Sequence, residues 1–289
     1  MKTDFSAIIA GTMSWGKWGK NLDKLQMSKM IQHCVGNRIT TFDHADIYGG
    51  YTTEYEFGDA LKASGINRHD IQLITKCGIQ LPTENRQVAI KHYDYSRAHL
   101  ISSVDNSLRN LQTEYLDLLL LHRPSPLMNP AIIAETVTLL KAEGKIKDFG
   151  VSNFSPSEMD LIADKTAISV NQIQFSAVDS MAMNDGTIDY MMLHNVQTMA
   201  WNPLGNVLCD ATPKHLRIRK LVELLTSKYE VGADLILLAW ILKHPAGILP
   251  VCGTANPERI AELIKASEIA LELEDWFAIY SASLGTEVP

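Results

Sequence analysis

The chain has 289 residues, of which 46% are hydrophobic and 20% are charged, a balance typical of a globular protein without a disordered tail. The formal net charge of −7 argues against a nucleic-acid-binding surface, because phosphate binding requires basic stripes that the sequence lacks. The length suits an α/β barrel, which typically has about 250 residues.

Targeting and redox signals are sparse. Residues 1–5 lack the long apolar core of a signal peptide, and no apolar run reaches the roughly 18 residues needed to cross a bilayer. We therefore expect a cytoplasmic protein that does not contact a membrane. The cysteines Cys34, Cys77, Cys209 and Cys252 are far apart in sequence. Since zinc sites use closely paired ligands, we expect four reduced thiols, with neither a disulfide nor a structural metal.

Strands and helices alternate through the first half of the chain. Strands are predicted at residues 7–10, 39–43, 71–75 and 116–121. The last is almost entirely apolar, as a parallel strand covered on both faces requires. Between the strands, apolar residues at helical spacing predict a helix that ends at Gly36-Asn37, a second over about 54–64, and a third that begins at Ser96.

The same alternation continues to the C-terminal part. Strands are predicted at residues 147–151, 170–174, 196–201 and 248–251. Asn129-Pro130 is a helix start with a capping residue followed by proline, and Ser155 and Glu158 have capping-box spacing. An extra helix is predicted over about 215–228, and Asn256-Pro257 begins the eighth barrel helix.

Eight βα units at roughly 30-residue intervals imply right-handed crossovers between parallel strands. Eight such units predict a closed α/β barrel, the (β/α)8 TIM barrel. No linker or shift in composition divides the sequence. We therefore predict a single domain over residues 1–289.

Four titratable residues lie at or just beyond the ends of neighbouring predicted strands. Asp43, Lys76 and His122 end the second, third and fourth strands, and Tyr48 follows in the next loop. The C-terminal strand ends of a βα barrel converge on one mouth, where active sites lie. We therefore expect these four side chains to share the rim of one pocket.

This set suits the reduction of a carbonyl group. Tyrosine has an ordinary pKa of about 10, so Tyr48 carries a donatable proton near neutral pH. The ammonium of Lys76 would favour the phenolate and ease proton release, while Asp43 would hold Lys76 in place. His122 could hydrogen-bond the carbonyl oxygen. Taken singly, each residue also suits a structural role, such as capping a helix or pointing to solvent.

Several motifs resemble the signature segments of the aldo-keto reductase superfamily, and in particular its bacterial oxidoreductases. The motifs occur in family order between about residues 10 and 265. They are Phe42-Asp43-His44-Ala45-Asp46-Ile47-Tyr48-Gly49, Thr75-Lys76-Cys77-Gly78, Leu121-His122-Arg123-Pro124, Gly150-Val151-Ser152-Asn153-Phe154 and Gly253-Thr254 with Arg259. The resemblance implies an NADPH-dependent barrel reductase. In it, Tyr48 would be the general acid, Asp43 and Lys76 would tune it, and His122 would position the carbonyl.

The same resemblance implies the residues that bind the cofactor. Those expected around the nicotinamide and its reactive end are Thr12, Met13, Asp43, Ser152, Asn153, Gln174 and Trp201, with Trp201 stacked on the ring. Those expected at the pyrophosphate are Asn202, Leu204 and Gly205, and those expected at the adenosine are Gly253, Thr254, Arg259 and Glu262.

The adenosine end also has physical support. A helix that begins at Asn256-Pro257 would present backbone amides to a phosphate, and Arg259 could clamp a 2′-phosphate. The resemblance is incomplete at three places. His44 stands where many members of the family have a small hydroxyl residue, and Ala255-Asn256 stand where some supply a lysine to the 2′-phosphate. Leu263 replaces an asparagine commonly placed against the adenine. These departures weaken the preference for NADPH more than the nicotinamide assignment, so NADPH is expected and NADH is less favoured.

Two alternatives remain open at this point. A metal-dependent barrel hydrolase could use Asp43, His44, Asp46 and His122, although no His-x-His ends the first strand. A dinucleotide-binding, redox-sensing regulatory protein could keep the fold with little turnover. A Rossmann dehydrogenase is disfavoured, because the sequence has no GxGxxG fingerprint.

The expected partner is a small carbonyl compound. Trp15, His122 and Trp201 are expected to shape an apolar mouth, together with the loops at about 77–95 and 203–214. The sequence alone fixes neither the substrate nor an oligomeric state.

Overall fold

The computed structural model describes residues 4–289, and its β-strands form a barrel and a small hairpin. The strands are β1 (Ile9–Gly11), β2 (Thr41–Asp43), β3 (Gln72–Cys77), β4 (Ile79–Gln80), β5 (His92–Tyr93), β6 (Leu116–Leu121), β7 (Ile146–Ser152), β8 (Val170–Gln174), β9 (Gln197–Trp201) and β10 (Leu249–Cys252). Within the described residues, eight of them pair in parallel into a closed barrel, and β4 pairs with β5 in a separate antiparallel hairpin. The predicted TIM barrel is therefore confirmed.

The helices cover the outside of the barrel. They are α1 (Lys24–Gly36), α2 (Thr53–Ser64), α3 (Arg97–Asn110), α4 (Pro130–Ala142), α5 (Pro156–Ala163), α6 (Thr187–Leu193), α7 (Pro213–Tyr229), α8 (Ala233–Leu242), α9 (Pro257–Leu263) and α10 (Leu273–Leu284). Their starts follow the sequence signals. The Asn129 side chain accepts from the amides of the first turn of α4, and both bonds of the Ser155–Glu158 capping box are present at α5.

Two apolar layers hold the barrel together. The smaller one fills the barrel interior and consists of Ile9, Ile74, Leu118, Leu120, Val170, Met199 and Val251. The larger one packs the outer strand faces against the helices and contains Leu119, Leu121, Phe149 and Trp240. Successive side chains of a strand point to opposite faces, so β6 serves both layers and all of its residues are buried. That double burial is the reason for its almost unbroken run of leucines.

The boundaries differ from the sequence prediction mainly at short elements. The first strand was predicted at residues 7–10 and lies at Ile9–Gly11. The hairpin of β4 and β5 was not predicted, because strands of two residues carry no alternating pattern. Among residues 4–289, no helix is long and apolar enough to cross a membrane. The single domain over residues 1–289 stays a prediction.

Candidate active site

The barrel topology brings the four predicted catalytic residues to one end. Asp43 is the last residue of β2, Lys76 lies near the end of β3, and His122 directly follows β6. The pairing of β2 with β3 and of β3 with β6 makes these strands consecutive around the barrel. Tyr48 begins a short 3-10 turn just after β2. All four side chains line one cavity of about 840 Å³.

Lys76 connects the other members of the group. Its Nζ donates to both carboxylate oxygens of Asp43 at 2.7 Å and to the backbone oxygen of His44 at 2.9 Å. It also lies 3.3 Å from the hydroxyl oxygen of Tyr48. Lys76 is only 1% exposed and Asp43 only 2%, so this ion pair is removed from bulk water. A pair in such surroundings is screened little by salt.

The proton affinities of this pair follow from burial and charge. Burial lowers the pKa of Lys76, but the adjacent Asp43 carboxylate outweighs that effect and leaves the pKa above its ordinary value. Burial raises the pKa of Tyr48, and the ammonium of Lys76 lowers it only in part. Lys76 thus acts in the expected direction, and the opposing effect of burial, which the sequence does not show, leaves the pKa of Tyr48 above its ordinary value. Tyr48 holds its proton, and Lys76 reduces the cost of giving it up.

His122 is kept neutral by its surroundings. Burial lowers the pKa of His122 well below its ordinary value, and the cations Lys76, Arg123 and Lys91 lower it further. Its Nδ1 has no hydrogen-bond partner among residues 4–289. Its ring lies edge-on to that of Tyr48, with 6.3 Å between the ring centres. A neutral imidazole at this place can donate one hydrogen bond into the cavity.

Three further residues surround Asp43, and one of them, Gln172, was not assigned a role from the sequence. Gln172 of β8 donates from Nε2 to Asp43 Oδ1 at 2.9 Å, and Gln172 itself lines the cavity. Behind Asp43, the hydroxyl of Thr12 lies 2.9 Å from the Asp43 carbonyl oxygen and 2.9 Å from Nδ1 of His44. The His44 side chain packs edge-on against Phe57, and burial lowers its pKa to about 3. His44 is therefore a neutral structural support.

The predicted cofactor residues divide into two groups. The members that line the cavity, besides Asp43, are Met13, Trp201, Asn202, Leu204, Gly253, Thr254 and Arg259. The members that do not line it are Thr12, Ser152, Asn153, Gln174, Gly205 and Glu262. Several of the second group instead hold the first in place. The Asn153 side chain, for example, accepts from Trp201 Nε1 at 3.0 Å and from the Gln174 amide at 3.2 Å.

The segment after β9 has an unusual backbone. Asn202, Gly205 and Asn206 all have positive φ angles, of 53°, 55° and 55°. A Cβ at Gly205 would lie 2.4 Å from Oγ of Ser176, so only glycine fits there. The tight turn brings Asn202 and Leu204 to the cavity wall beside Trp201. A ligand in this part of the cavity would therefore meet a fixed main chain rather than mobile side chains.

A second cavity of about 520 Å³ adjoins the first and contains a cation that sequence reasoning missed. Ser14, Gly253, Thr254 and Arg259 line both cavities, and Lys20 lines the second. The Lys20 amide donates to the Ser14 oxygen at 2.7 Å, which fixes the loop between β1 and α1. Neither Lys20 nor Arg259 forms an ion pair within residues 4–289. Two unneutralised cations thus share one small pocket, as an anionic group requires.

One aromatic expectation is wrong. Trp15 was expected to shape the mouth, but it is fully buried, and its Nε1 donates to the Thr254 oxygen at 2.9 Å. It packs against Phe42 and Phe57 behind the loop. The wall residue is Trp18, whose ring centre lies 6.2 Å from that of Tyr48. Apolar spacing did not distinguish the two tryptophans, because both lie in the same glycine-rich loop.

The possible metal ligands and the cysteine thiols are dispersed over the described part of the chain. In the part of the chain that the structure describes, no group of three or more His, Cys, Asp or Glu side chains could hold a metal ion. The four cysteines are free thiols; Cys34, Cys77 and Cys252 are buried, and Cys209 is exposed.

Comparison with known proteins decides the family. The model of the aldo/keto reductase family matches residues 7–283. The chain belongs to the aldo/keto reductase family. The uncharacterized oxidoreductase YcsN of Bacillus subtilis is 40% identical to it, over 99% of this chain and 96% of its own length. This aldo/keto reductase is accordingly an NAD(P)H-dependent oxidoreductase, and carbonyl reduction is its general reaction.

Two other proteins are similar to this aldo/keto reductase over most of its length. The 6-dehydroglucose reductase of Agrobacterium fabrum is 36% identical over 99% of this chain and 97% of its own length. The crystal structure of an aldo/keto reductase from Klebsiella pneumoniae, in complex with NADP and acetate, superposes with a TM-score of 0.78. That structure is 25% identical and covers 95% of this chain and 90% of its own. The barrel and the order of its parts are thus those of the family.

Proposed function

We propose that this protein reduces an aldehyde or ketone to an alcohol with NADPH, and that Tyr48 donates the proton. The single observation that carries the proposal is the contact of 3.3 Å between the Lys76 ammonium and the Tyr48 hydroxyl on the cavity wall. The same ammonium is held by both oxygens of a buried Asp43. A phenol beside a fixed cation is a suitable general acid, because the cation stabilises the negative charge that proton loss creates.

The chemistry divides between the cofactor and the protein. When bound, the reduced nicotinamide supplies a hydride to the carbonyl carbon. The protein supplies the proton, from the Tyr48 hydroxyl to the carbonyl oxygen as negative charge develops there. The hydrogen bond from Gln172 and the ion pair with Lys76 hold the Asp43 carboxylate in position. Asp43 in turn prevents the ammonium from moving away from Tyr48.

His122 orients the carbonyl in this proposal. Its pKa is far below the ordinary value, so it stays neutral at physiological pH. If its single proton is on Nε2, the buried Nδ1 needs no acceptor, which fits the absence of a partner for Nδ1 among residues 4–289. The Nε2 proton is then free to bond the carbonyl oxygen. Tyr48 and His122, with rings 6.3 Å apart, would hold that oxygen between them.

A dinucleotide fits the residues that are present. The two adjoining cavities, of about 840 and 520 Å³, run from Tyr48 to Arg259 by way of Trp201 and Gly253. We assign the nicotinamide to Trp201, which lines the cavity and is held from behind by Asn153, itself bonded to Ser152 and to the Gln174 amide. The complex of the Klebsiella relative with NADP supports the same cofactor class here. Thr12, which does not line the cavity, would act only by supporting Asp43.

The preference for NADPH over NADH rests on two cations. Arg259 and Lys20 line the smaller cavity, and neither is neutralised by a carboxylate in the described part of the chain. A 2′-phosphate would bring two negative charges to them, whereas NADH offers only a hydroxyl there. We therefore propose that Lys20 takes the place of the second cation that the sequence seemed to lack at Ala255 and Asn256.

The substrate class is a small carbonyl compound. The Agrobacterium relative is named for the reduction of a sugar aldehyde, which makes polar aldehydes the first compounds to assay. The cavity wall near Tyr48 combines apolar residues such as Trp18 and Leu81 with the polar groups of Arg123 and Lys91. Such a wall suits a compound with both carbon and charged or hydroxyl groups.

The loss of NADPH absorbance with a panel of aldehydes and ketones tests the proposal. We expect turnover with at least one polar aldehyde, and loss of that turnover in Tyr48→Phe. Tight NADPH binding with no turnover on any compound would instead favour the redox-sensing regulatory alternative.

The variants Lys20→Met and Arg259→Met test the proposed preference for NADPH over NADH, and we expect both to behave alike. Each should raise KM for NADPH by about tenfold, because each loses a charge-assisted hydrogen bond to phosphate, and leave KM for NADH almost unchanged. Lys220→Met, an exposed lysine of α7 outside both cavities, is the matched control. Equal changes for the two cofactors would contradict a 2′-phosphate site.

A further inference from the structure

We propose that the substrate carries a carboxylate in addition to its carbonyl, and that Arg123 and Lys91 bind this carboxylate. The inference rests on the proposed function, since it concerns the substrate side of the same cavity. It concerns a pair of cations that proton donation and cofactor binding leave without a role.

The charge on this side of the cavity is positive and unneutralised. Lys91 and Arg123 line the cavity, and in the described residues neither forms an ion pair with a carboxylate. Among residues 4–289, the carboxylates that line it are Asp43 and Asp234. Asp43 is already paired with Lys76. The positive charge stands out in a protein whose formal net charge is −7.

The other carboxylate is on the opposite side of the barrel. Asp234 lies in the first turn of α8, and its charge raises the pKa of Cys252 of β10. The charges of Lys91 and Arg123 lower the pKa of His122, which follows β6. In the closed barrel, β6 and β10 are separated by three strands in either direction. Asp234 is thus placed away from the two cations, and an anion that neutralises them has to come from the ligand.

Arg123 is held with one edge of its guanidinium free. Its Nη1 donates to the His122 oxygen at 2.7 Å and to Ser152 Oγ at 3.2 Å. Its main chain is fixed by Tyr95, whose hydroxyl donates to the Arg123 oxygen at 2.5 Å and accepts from the Arg123 amide at 3.2 Å. Within residues 4–289, Nε and Nη2 form no hydrogen bond. That edge presents two parallel N–H groups, the geometry that binds a carboxylate in bidentate fashion.

The position of Arg123 limits where the carboxylate lies in the substrate. Arg123 is the next residue after His122, which is assigned to the carbonyl oxygen. A carboxylate on the free edge of Arg123 is therefore only a few bonds from the carbonyl. Lys91, just before β5, adds a second charge from the hairpin side of the cavity. The hydrocarbon between the two groups would contact Ile47 and Leu81 on the cavity wall.

A matched pair of substrates tests the inference directly. Terephthalaldehydic acid and its amide have the same ring and aldehyde and differ in one charge. With NADPH, we expect kcat/KM to be about tenfold higher for the acid, since a hydrogen bond to a charged group exceeds one to a neutral group. Equal or lower values for the acid, with the amide turned over normally, would overturn the inference and leave the reductase intact.

Two variants connect the preference to the residues. Lys91→Met should reduce the ratio of acid to amide by about threefold or more, and Arg123→Met should abolish the preference. Lys29→Met, an exposed lysine of α1 outside the cavity, is the control and should keep the ratio. If Arg123→Met does not fold, as judged by circular dichroism, the result with Lys91→Met decides. An unchanged ratio in that variant would overturn the role of the cation pair.

A binding measurement separates the inference from turnover. The quenching of Trp18 and Trp201 fluorescence reports the affinity of hydroxymethylbenzoate and of its amide in the presence of NADP. Tighter binding of the acid without any turnover of the aldehydes would contradict the proposed reductase but support the carboxylate site. Equal affinities would overturn the site. Glycolaldehyde phosphate and glycolaldehyde form a second pair of compounds. If the preference for the phosphate within this pair exceeds the preference for the acid over its amide, the site binds phosphate and the carboxylate assignment is overturned.

Discussion

Two buried aspartates, one near each end of the barrel, bind lysines that differ in their exposure to solvent. Asp117 lies at the beginning of β6 and binds Arg68 at 2.6 Å and Lys147 at 2.9 Å. Asp43 lies at the end of β2 and binds Lys76 at 2.7 Å. Both carboxylates are 2% exposed. Their cations differ, because the Lys147 side chain is 53% exposed and that of Lys76 only 1%.

The difference separates a structural ion pair from a functional one. Asp117 also accepts from the Leu73 amide at 2.9 Å, so its bonds join β3, β6 and β7 and end in solvent. The pair of Asp43 and Lys76 is hidden from solvent and ends at the Tyr48 hydroxyl in the cavity. Water can hydrate the Lys147 ammonium if its pair is lost, whereas the Lys76 ammonium is out of reach of solvent. Activity should therefore depend on the second pair, and only modest stability on the first.

The largest effect is expected from Tyr48→Phe. The change removes the proposed proton donor and should lower kcat by about 10² to 10⁴, the usual contribution of general acid catalysis. Stability should change little, because within residues 4–289 the hydroxyl makes one long contact, at 3.3 Å. Initial rates and urea unfolding measure the two quantities. Tyr280→Phe on α10 is the matched control, and comparable rates for both variants would refute the assignment.

Next in size is Lys76→Met, which leaves Asp43 buried without its cation. Breaking a buried pair by removing one partner costs about 3 to 5 kcal/mol in the free energy of unfolding. The double variant with Asp43→Asn should recover part of this loss, because no buried charge is then left unpaired. Urea unfolding of both variants provides the measurement. A loss below about 1 kcal/mol for the single variant would mean that water reaches Asp43.

A pH-dependent effect is expected from His44, directly behind Asp43. Its folded-state pKa is about 3, below the ordinary 6.5, so the unfolded chain binds a proton first as the pH falls. His44 therefore lowers stability progressively below about pH 6.5, by about 2 kcal/mol at about pH 5. His44→Asn removes this dependence, while His122 contributes equally to both proteins. Unfolding curves of the parent protein and of His44→Asn at neutral and acidic pH provide the measurement. An equal loss of stability in both proteins on acidification would disprove the prediction.

The smallest effect is expected from Asp117→Asn. Lys147 can turn to water and Arg68 keeps its bonds to Thr113, Ile71 and Tyr115, so the loss in the free energy of unfolding should be about 1 to 2 kcal/mol. The values of kcat and KM should be unchanged, because Asp117 does not line the cavity. Thermal unfolding and steady-state kinetics test both statements. A fall in kcat similar to that of Lys76→Met would remove the distinction between the two pairs.

Most of the barrel could be predicted from sequence, because each strand and helix start carries a local signal. The run Leu116–Leu121 and the cap at Asn129 are examples. The meeting of Asp43, Lys76 and His122 followed from topology alone. Positions set by contacts between distant segments could not be read in this way. The sequence gives no reason to choose Gln172 over Gln174 on β8, since both alternate positions point to the same face.

Loops and electrostatics account for the other differences. Lys20 meets Arg259 only because the loop after β1 turns back on itself through the contact of Lys20 with Ser14. The direction in which the pKa of Tyr48 shifts depends on how deeply its ring is buried, and a sequence motif does not contain that information. The sequence signals thus describe elements and strand ends well. They do not describe the depth or the neighbours of a side chain.

The bond from Lys76 to the main-chain oxygen of His44 bears on how this family can diversify. Every amino acid has that oxygen, so the residue at position 44 can be exchanged during evolution without removing an anchor of the catalytic ammonium. A substitution at position 44 therefore leaves this hydrogen bond of Lys76 in place. A histidine can therefore stand at position 44 while the contact of the ammonium with the Tyr48 hydroxyl is kept.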